Sequence, residues 1–370
     1  MRIIITKVLL VLVLLSLFTM IPLSIESPDK HLVIGVSTES LASIVRDIVN
    51  GKCEVFIILP EGAEPHTYQL KPEDIEKTKN ADLLVFTGHF IFEEKIIETL
   101  KGVKPILTLN LATNTYGGYK VEIFTMPWGS SYEKNYHAYW LYPKNAITIA
   151  KALVDSLVRV DPENKEFYKY RLMEFQKRVS GILALVKKQK ELLKISDINV
   201  VLAFPAEQYI VSALGFRIIG MLSKGEGIFV GGGKLLEIKD KLKSGAVLVA
   251  SDIVKMLKVG EFIDSILKET NAQVIYIKVR GVSELTYTEL LAYNLGSLLN
   301  ALASLKSTSA SGSSSTAHNR EINATIIYGL IVILCLIITI EAYIIYTYSK
   351  KIEKLRRKIR EIESKWRRRE

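Results

Sequence analysis

From Leu32 onward, short apolar runs alternate with stretches whose apolar residues recur at helical spacing. The runs Leu32–Val36, Cys53–Leu59, Asp82–Thr87 and Pro105–Leu109 read as strands, and Leu41–Val49, Pro72–Lys79 and Glu93–Leu100 read as the helices between them. Such a rhythm predicts a mostly parallel sheet with helices on both faces. Residues 112–134 carry no clear pattern, and a helix over Asn145–Val158 closes this set. Asp161-Pro162-Glu163 then supplies an N-cap, a proline for the first turn and an acid beside it. Leu172, Phe175, Val179, Ile182, Leu183 and Val186 continue at helical spacing, so one helix is expected over about 162–194, roughly 50 Å long if straight. A second alternating set follows, with strands at Asn199–Phe204, Arg217–Ile219, Ala246–Ala250 and Gln273–Ile277 and a last helix at Tyr287–Leu305. The expected fold class is α/β: two doubly wound α/β lobes, residues 30–159 and 196–305, joined by one long rigid helix within 160–195, plus a C-terminal transmembrane helix.

Two apolar segments stand outside that alternation. Residues 1–27 combine Arg2 and Lys7 with an uncharged apolar run, as a secretory signal peptide or an uncleaved N-terminal anchor does. Residues 324–349 carry a single charge, Glu341, and at ~1.5 Å per residue are long enough for a ~30 Å hydrocarbon core. Tyr343, Tyr346 and Tyr348 lie at the end where an aromatic belt belongs. A Ser/Thr-rich stretch, 306–322, reads as a flexible tether before this span, and Asn323 begins an Asn-x-Thr sequon. Residues 350–370 hold eleven Lys/Arg against four Glu, which is +7 of the net +10 of the 370-residue chain. The positive-inside rule places this tail in the cytoplasm and the two lobes outside, giving a cell-membrane protein with a single C-terminal anchor. With its basic excess explained by topology and by anionic membrane lipid along the tail, the chain needs no nucleic-acid partner. Its two cysteines, Cys53 in the outer part and Cys335 in the span, make no disulfide framework.

Candidate chemistry centres on two histidines. His66 lies in EPHTYQLKP (64–72), after a strand and immediately behind a proline; His137 lies in NYHAYWLYP (135–143), just ahead of a helix. Two imidazoles at the open ends of strands in one lobe make half of a metal site, the bland alternative being hydrogen-bonded loop histidines. His89, in FTGHFIFEE, reads as a packing residue of that lobe or a support for the ligands rather than as a ligand. Gly231-Gly232-Gly233-Lys234 lacks the spacing and trailing hydroxyl of a phosphate loop. No nucleophile–base set or carboxylate pair stands out, so the chain is not expected to be an enzyme.

The segments EGAEPHTYQLKPEDI, NADLLVFTGHFIFEEKI, YHAYWLYPKNAITIAKAL, DPENKEFYKYRL and TYTELLAYNLGSLLNAL, in this order and spacing, resemble the substrate-binding proteins of zinc and manganese ABC importers, over residues 32–305 and in an archaeal-type, membrane-anchored form. The resemblance implies two α/β lobes bridged by a helix, a divalent metal (zinc or manganese) as ligand in the cleft between them, and ABC permease and ATPase subunits as partners. It carries the first family histidine onto His66 and the second onto His137, although Tyr142 stands where the family usually has an acid. In the second lobe the family's third ligand falls on Phe204, and its acidic fourth falls on Lys278 or Arg280. A cation ~4 Å from a divalent ion costs about 8 kcal/mol at an effective dielectric near 20, so the metal site is partly degenerate. Glu207, three residues beyond Phe204, is the candidate carboxylate that turns into the cleft to replace the missing ligand. Two alternatives stay open: a degenerate paralogue acting as a cell-surface interaction protein, and a binder of an anionic metal chelate.

Overall fold

The computed structural model describes residues 31–311 apart from 129–132, 196–197, 226, 257–258 and 284. Strands β1 (Val33–Val36), β2 (Glu54–Ile57), β3 (Leu83–Val85) and β4 (Ile106–Leu107) form a sheet ordered β2-β1-β3-β4, every pair parallel. A sheet covered on both faces needs strands that are apolar throughout, and Ile34, Val36, Leu83, Leu84 and Val85 are all buried. Gly35 is required at the centre, because a Cβ there would lie 2.7 Å from the Phe56 ring and 2.8 Å from Leu84. The helix Glu39–Val49 follows β1; Thr38 caps its start by accepting from Leu41 N, and Asn50 ends it in the left-handed region. The helices Pro72–Asn80 and Ile91–Leu100 complete the crossovers.

The stretch without a sequence pattern contains structure too short to show a period. Strands β5 (Leu109–Asn110), β6 (Thr115–Tyr116) and β7 (Tyr119–Lys120), two residues each, make a small antiparallel sheet. After the helix Pro143–Val160, residues Pro162–Asn164 form a 3-10 turn and the linking helix runs over Lys165–Leu192. Asp161 does not cap that helix directly: its carboxylate accepts from Asn164 Nδ2 and from the Tyr168 hydroxyl. Tyr168, Phe175, Val179 and Val186 form the buried face of the linking helix.

The second half repeats the first. Strands β8 (Asn199–Leu202) and β9 (Arg217–Met221) are followed by a short hairpin, β10 (Ser223–Gly225) and β11 (Ile228–Phe229), and then by β12 (Val247–Ser251) and β13 (Val274–Ile277). The main sheet is ordered β13-β12-β8-β9, again all parallel. Each sheet therefore begins at an inner strand and winds out both ways, and such sheets bind ligands at the carboxyl ends of the strands where the winding reverses. Gly281, at φ +89, marks where the halves meet: a Cβ there would be 2.9 Å from Ser40 N at the start of the first helix.

The last helix, Tyr287–Ser311, leaves the second sheet and packs back on the first half. Thr288 N donates to Asp47 Oδ2 at 2.8 Å and the Tyr287 hydroxyl to Leu141 O at 2.8 Å. It also runs six residues into the predicted tether, because extending an existing helix costs far less than starting one. No helix among the described residues is long and apolar enough to cross a membrane. The predicted signal segment 1–27, span 324–349 and tail 350–370 lie outside the described residues.

Asp47, fully buried, joins the first, linking and last helices. Its carboxylate accepts from Arg178 at 2.5 Å and from Thr288 N, and its carbonyl accepts from Arg171 at 2.7 Å. Asp47→Ala is expected to lower the unfolding free energy by roughly 2–3 kcal/mol, below the full cost of breaking a buried pair because Arg178 is partly exposed. Urea unfolding of the purified chain measures it.

Candidate functional site

Three histidines meet at the carboxyl edge of the first sheet. His66 follows β2, His89 follows β3, and His137 sits in the turn leading to the 3-10 segment Tyr139–Leu141. One ligand nitrogen from each lies within 4.8 Å of the others, and the ring centroids are 5.2 Å (His66–His137), 5.7 Å (His89–His137) and 5.9 Å (His66–His89) apart.

Each loop is held by its own hydrogen bonds. Glu93, fully buried in the first turn of its helix, accepts the backbone N–H groups of Thr87, Gly88, His89 and Phe90 at 2.7–3.2 Å together with the Thr87 hydroxyl at 2.9 Å. Tyr139 ties the His137 turn to the same loop by donating to Thr87 O at 2.9 Å. Asn135 accepts from His137 N at 2.9 Å and reaches across to the second half, donating to Pro205 O and Gln208 Oε1, both at 2.8 Å. The turn needs Ala138 in the left-handed region, φ 57, where an L-residue is strained by about 1 kcal/mol. Such strain persists only because these bonds hold the turn in place.

The surroundings are aromatic. Phe90 lies 5.0 Å from His66 and 3.9 Å from His89, Trp140 lies 5.9 Å from His89, and Phe204 of the second half lies 6.0 Å from His137. Burial pushes all three imidazoles below their ordinary value of 6.5. His66, at the open edge, is partly rescued by the Glu64 carboxylate; His89 is driven well down, with the other two rings adding to the effect; His137 falls to about 4. At neutral pH the group is therefore uncharged and offers lone pairs, the state in which imidazole binds metal.

The structure brings His66 and His137 together but leaves Glu207 out of the group. Its Oε2 accepts from Phe204 N at 2.6 Å and its Oε1 from Ser251 N at 2.7 Å, so the carboxylate folds back onto its own half instead of turning into the cleft. Burial pushes Glu207 up to about 8. His89, read from sequence as support, stands in the cluster itself. Its signal in the sequence is its place directly after Gly88 at the end of a buried strand, four residues ahead of an acid that pins the loop. Lys278 reaches toward Asp252 at 3.8 Å and its backbone pairs with Asn294. Lys234, behind the glycine run, pairs with Glu237.

A family model described as ZnuA, zinc-uptake complex component A, periplasmic, matches residues 34–301. The chain belongs to this family. Among its relatives, a metal ABC transporter substrate-binding lipoprotein of Lactococcus lactis is 29% identical over 160 residues, 42% of this chain and 49% of that protein. A manganese ABC transporter substrate-binding lipoprotein, PsaA, of Streptococcus pneumoniae serotype 4 is 28% identical over 189 residues, 49% of this chain and 59% of that protein. The chain thus spans about half the length of the curated relatives it matches. In fold, this family member is similar to the substrate-binding protein FpvC of Pseudomonas aeruginosa, solved in complex with Mn2+, at a TM-score of 0.60 and 22% identity over 74% of this chain and 98% of that one. A Mn-bound periplasmic metal-binding protein of Candidatus Liberibacter asiaticus gives 0.56 at 20% identity over 73% and 99%.

A proton titration of His137 in the metal-free protein is expected to centre near 4. Because the folded value lies below the unfolded one, the group's contribution is fully present above pH 6.5 and is lost as pH falls from there toward 4. Histidine NMR shifts and thermal unfolding across that window measure the two effects.

Proposed function

We propose that this family member is the substrate-binding component of an ABC importer for a divalent cation of the zinc or manganese type, with His66 and His137 as ligands of the cargo. The captured ion passes to the permease and ATPase subunits. The protein stands outside the membrane, exported by its N-terminal segment, and is held by the span at 324–349 with the basic tail against cytoplasmic lipid. The observation that carries this reading is the convergence of uncharged imidazoles at the carboxyl edge of the first sheet, beneath the residues that follow β8 in the second half.

The second reading, a surface interaction protein that has lost its cargo, draws on the Phe204 ring beside His137 and on Lys278 near the carboxylate of Asp252. A chelate binder has less support, since Lys278 already faces Asp252.

Titration calorimetry of the purified chain with zinc and with manganese separates these. Saturable binding by at least one ion, weakened at least about 100-fold in His66→Ala, is the expected result; no heat at roughly tens of micromolar of either ion leaves the interaction protein standing. A chain ended after Ser311 is expected to move from the membrane pellet to the soluble fraction on centrifugation.

A further inference from the structure

The hydrogen bonds around His89 determine which of its nitrogens is free. Its Nδ1 lies 3.1 Å from the Thr87 hydroxyl oxygen, and that oxygen lies 2.9 Å from both oxygens of Glu93. The hydroxyl has one proton. Burial pushes Glu93 up, but the four backbone N–H groups it accepts, at 2.7–3.2 Å, favour the carboxylate, and an oxygen this close to both oxygens of a carboxylate must donate to it. Thr87 then has only a lone pair to offer His89, and Nδ1 carries the ring proton. The lone pair of His89 is left on Nε2, which is shielded from solvent and has no hydrogen-bond partner. A buried polar atom without a partner costs free energy unless something supplies one.

We propose that His89 is a third metal ligand through Nε2, that Thr87 and Glu93 are its positioning residues, and that the resulting three-imidazole set selects zinc over manganese. This rests on the cargo-binding reading above. Zinc at about 2.0–2.1 Å from each nitrogen sets neighbouring nitrogens about 3.4 Å apart in a tetrahedral site. From within 4.8 Å of one another, the rings close by about 1.4 Å at most, within reach of side-chain rotation. Among the described residues no carboxylate joins the group. Two acids of the flanking loops are already engaged: Glu64 accepts from Thr67 N at 2.8 Å, and Glu207 from Phe204 N and Ser251 N. Manganese, lowest in the order of affinity for nitrogen donors and best served by carboxylate and water, gains least from such a set, while zinc is well matched to imidazole. The fourth position is left to water or a small anion beside Phe204.

The test uses the full-length chain. Long-range 1H–15N spectra of the metal-free protein are expected to show His89 as the Nδ1–H tautomer; an Nε2–H tautomer overturns the proposal without touching the cargo-binding reading. In competition titrations zinc is expected to bind at least about 100-fold more tightly than manganese, with His89→Ala costing as much zinc affinity as His66→Ala. Thr87→Val is expected to cost about 10–100-fold, restored by Thr87→Ser. Cobalt, as a visible-absorption probe, should give an intense tetrahedral spectrum in the wild type that collapses in His89→Ala. Zinc bound equally by wild type and His89→Ala, but lost in His66→Ala, removes His89 from the site and leaves the cargo-binding reading intact. Manganese bound as tightly as zinc overturns the selectivity. No metal bound by the wild type overturns both readings.

Discussion

Parallel strands that end side by side leave backbone N–H groups pointing past one edge of the sheet, where neither the ladder nor water reaches them. In this chain a buried glutamate side chain collects them in each half. Glu93 accepts four consecutive N–H groups from 87–90, and Glu207 accepts from Phe204 and Ser251 at the ends of β8 and β12. Burying an ionised acid is expensive; the four amides offset that cost at Glu93, while at Glu207, with two, burial prevails and pushes the group up to about 8. The consequence runs outward. A loop pinned at four successive amides holds the backbone of His89 in place and leaves its ring to be oriented by the Thr87 hydroxyl. A side chain spent on backbone amides is also not available to a metal, and among the described residues the group that could hold one consists of imidazoles alone.

The same constraint explains what is legible in the sequence and what is not. His66 and His137 can be read because each sits in a loop with strong local punctuation, a proline before one and a Pro-led helix after the other. Glu207 misleads because its spacing from Phe204 suits two geometries. A carboxylate three residues past the turn can face the cleft or cap its own loop, and only the positions of Phe204 N and Ser251 N, 44 residues apart from Glu207 in the latter case, decide between them. His89 is hidden for a related reason. The pattern FTGHFIFEE shows an apolar environment, but the contact that orients His89 is the Thr87–Glu93 pair, which depends on where two side chains point.

The alternation of elements carries the two parallel sheets, since strands covered on both faces must be apolar throughout and their helices must be amphipathic. It does not carry β5–β7 or β10–β11, where strands of two or three residues have no period to detect. Nor does it show that the last helix belongs with the first half. That attachment rests on Asp47, a buried acid in the first helix, meeting Thr288 across 241 positions of sequence. No local pattern encodes so long a reach.

A metal bridging two lobes draws ligands from both and so holds them together. Here all three imidazoles come from the first half, and the nearest ring of the second, Phe204, has no lone pair to contribute. The bonds that do cross beside the site are those of Asn135 to Pro205 and Gln208 and of the Tyr209 hydroxyl to Asn135 O at 2.5 Å. They converge on the same turn that carries His137, two residues on. Beside the site the halves are therefore joined through the side chain and carbonyl of Asn135, so a change in their separation there acts on the turn that carries His137.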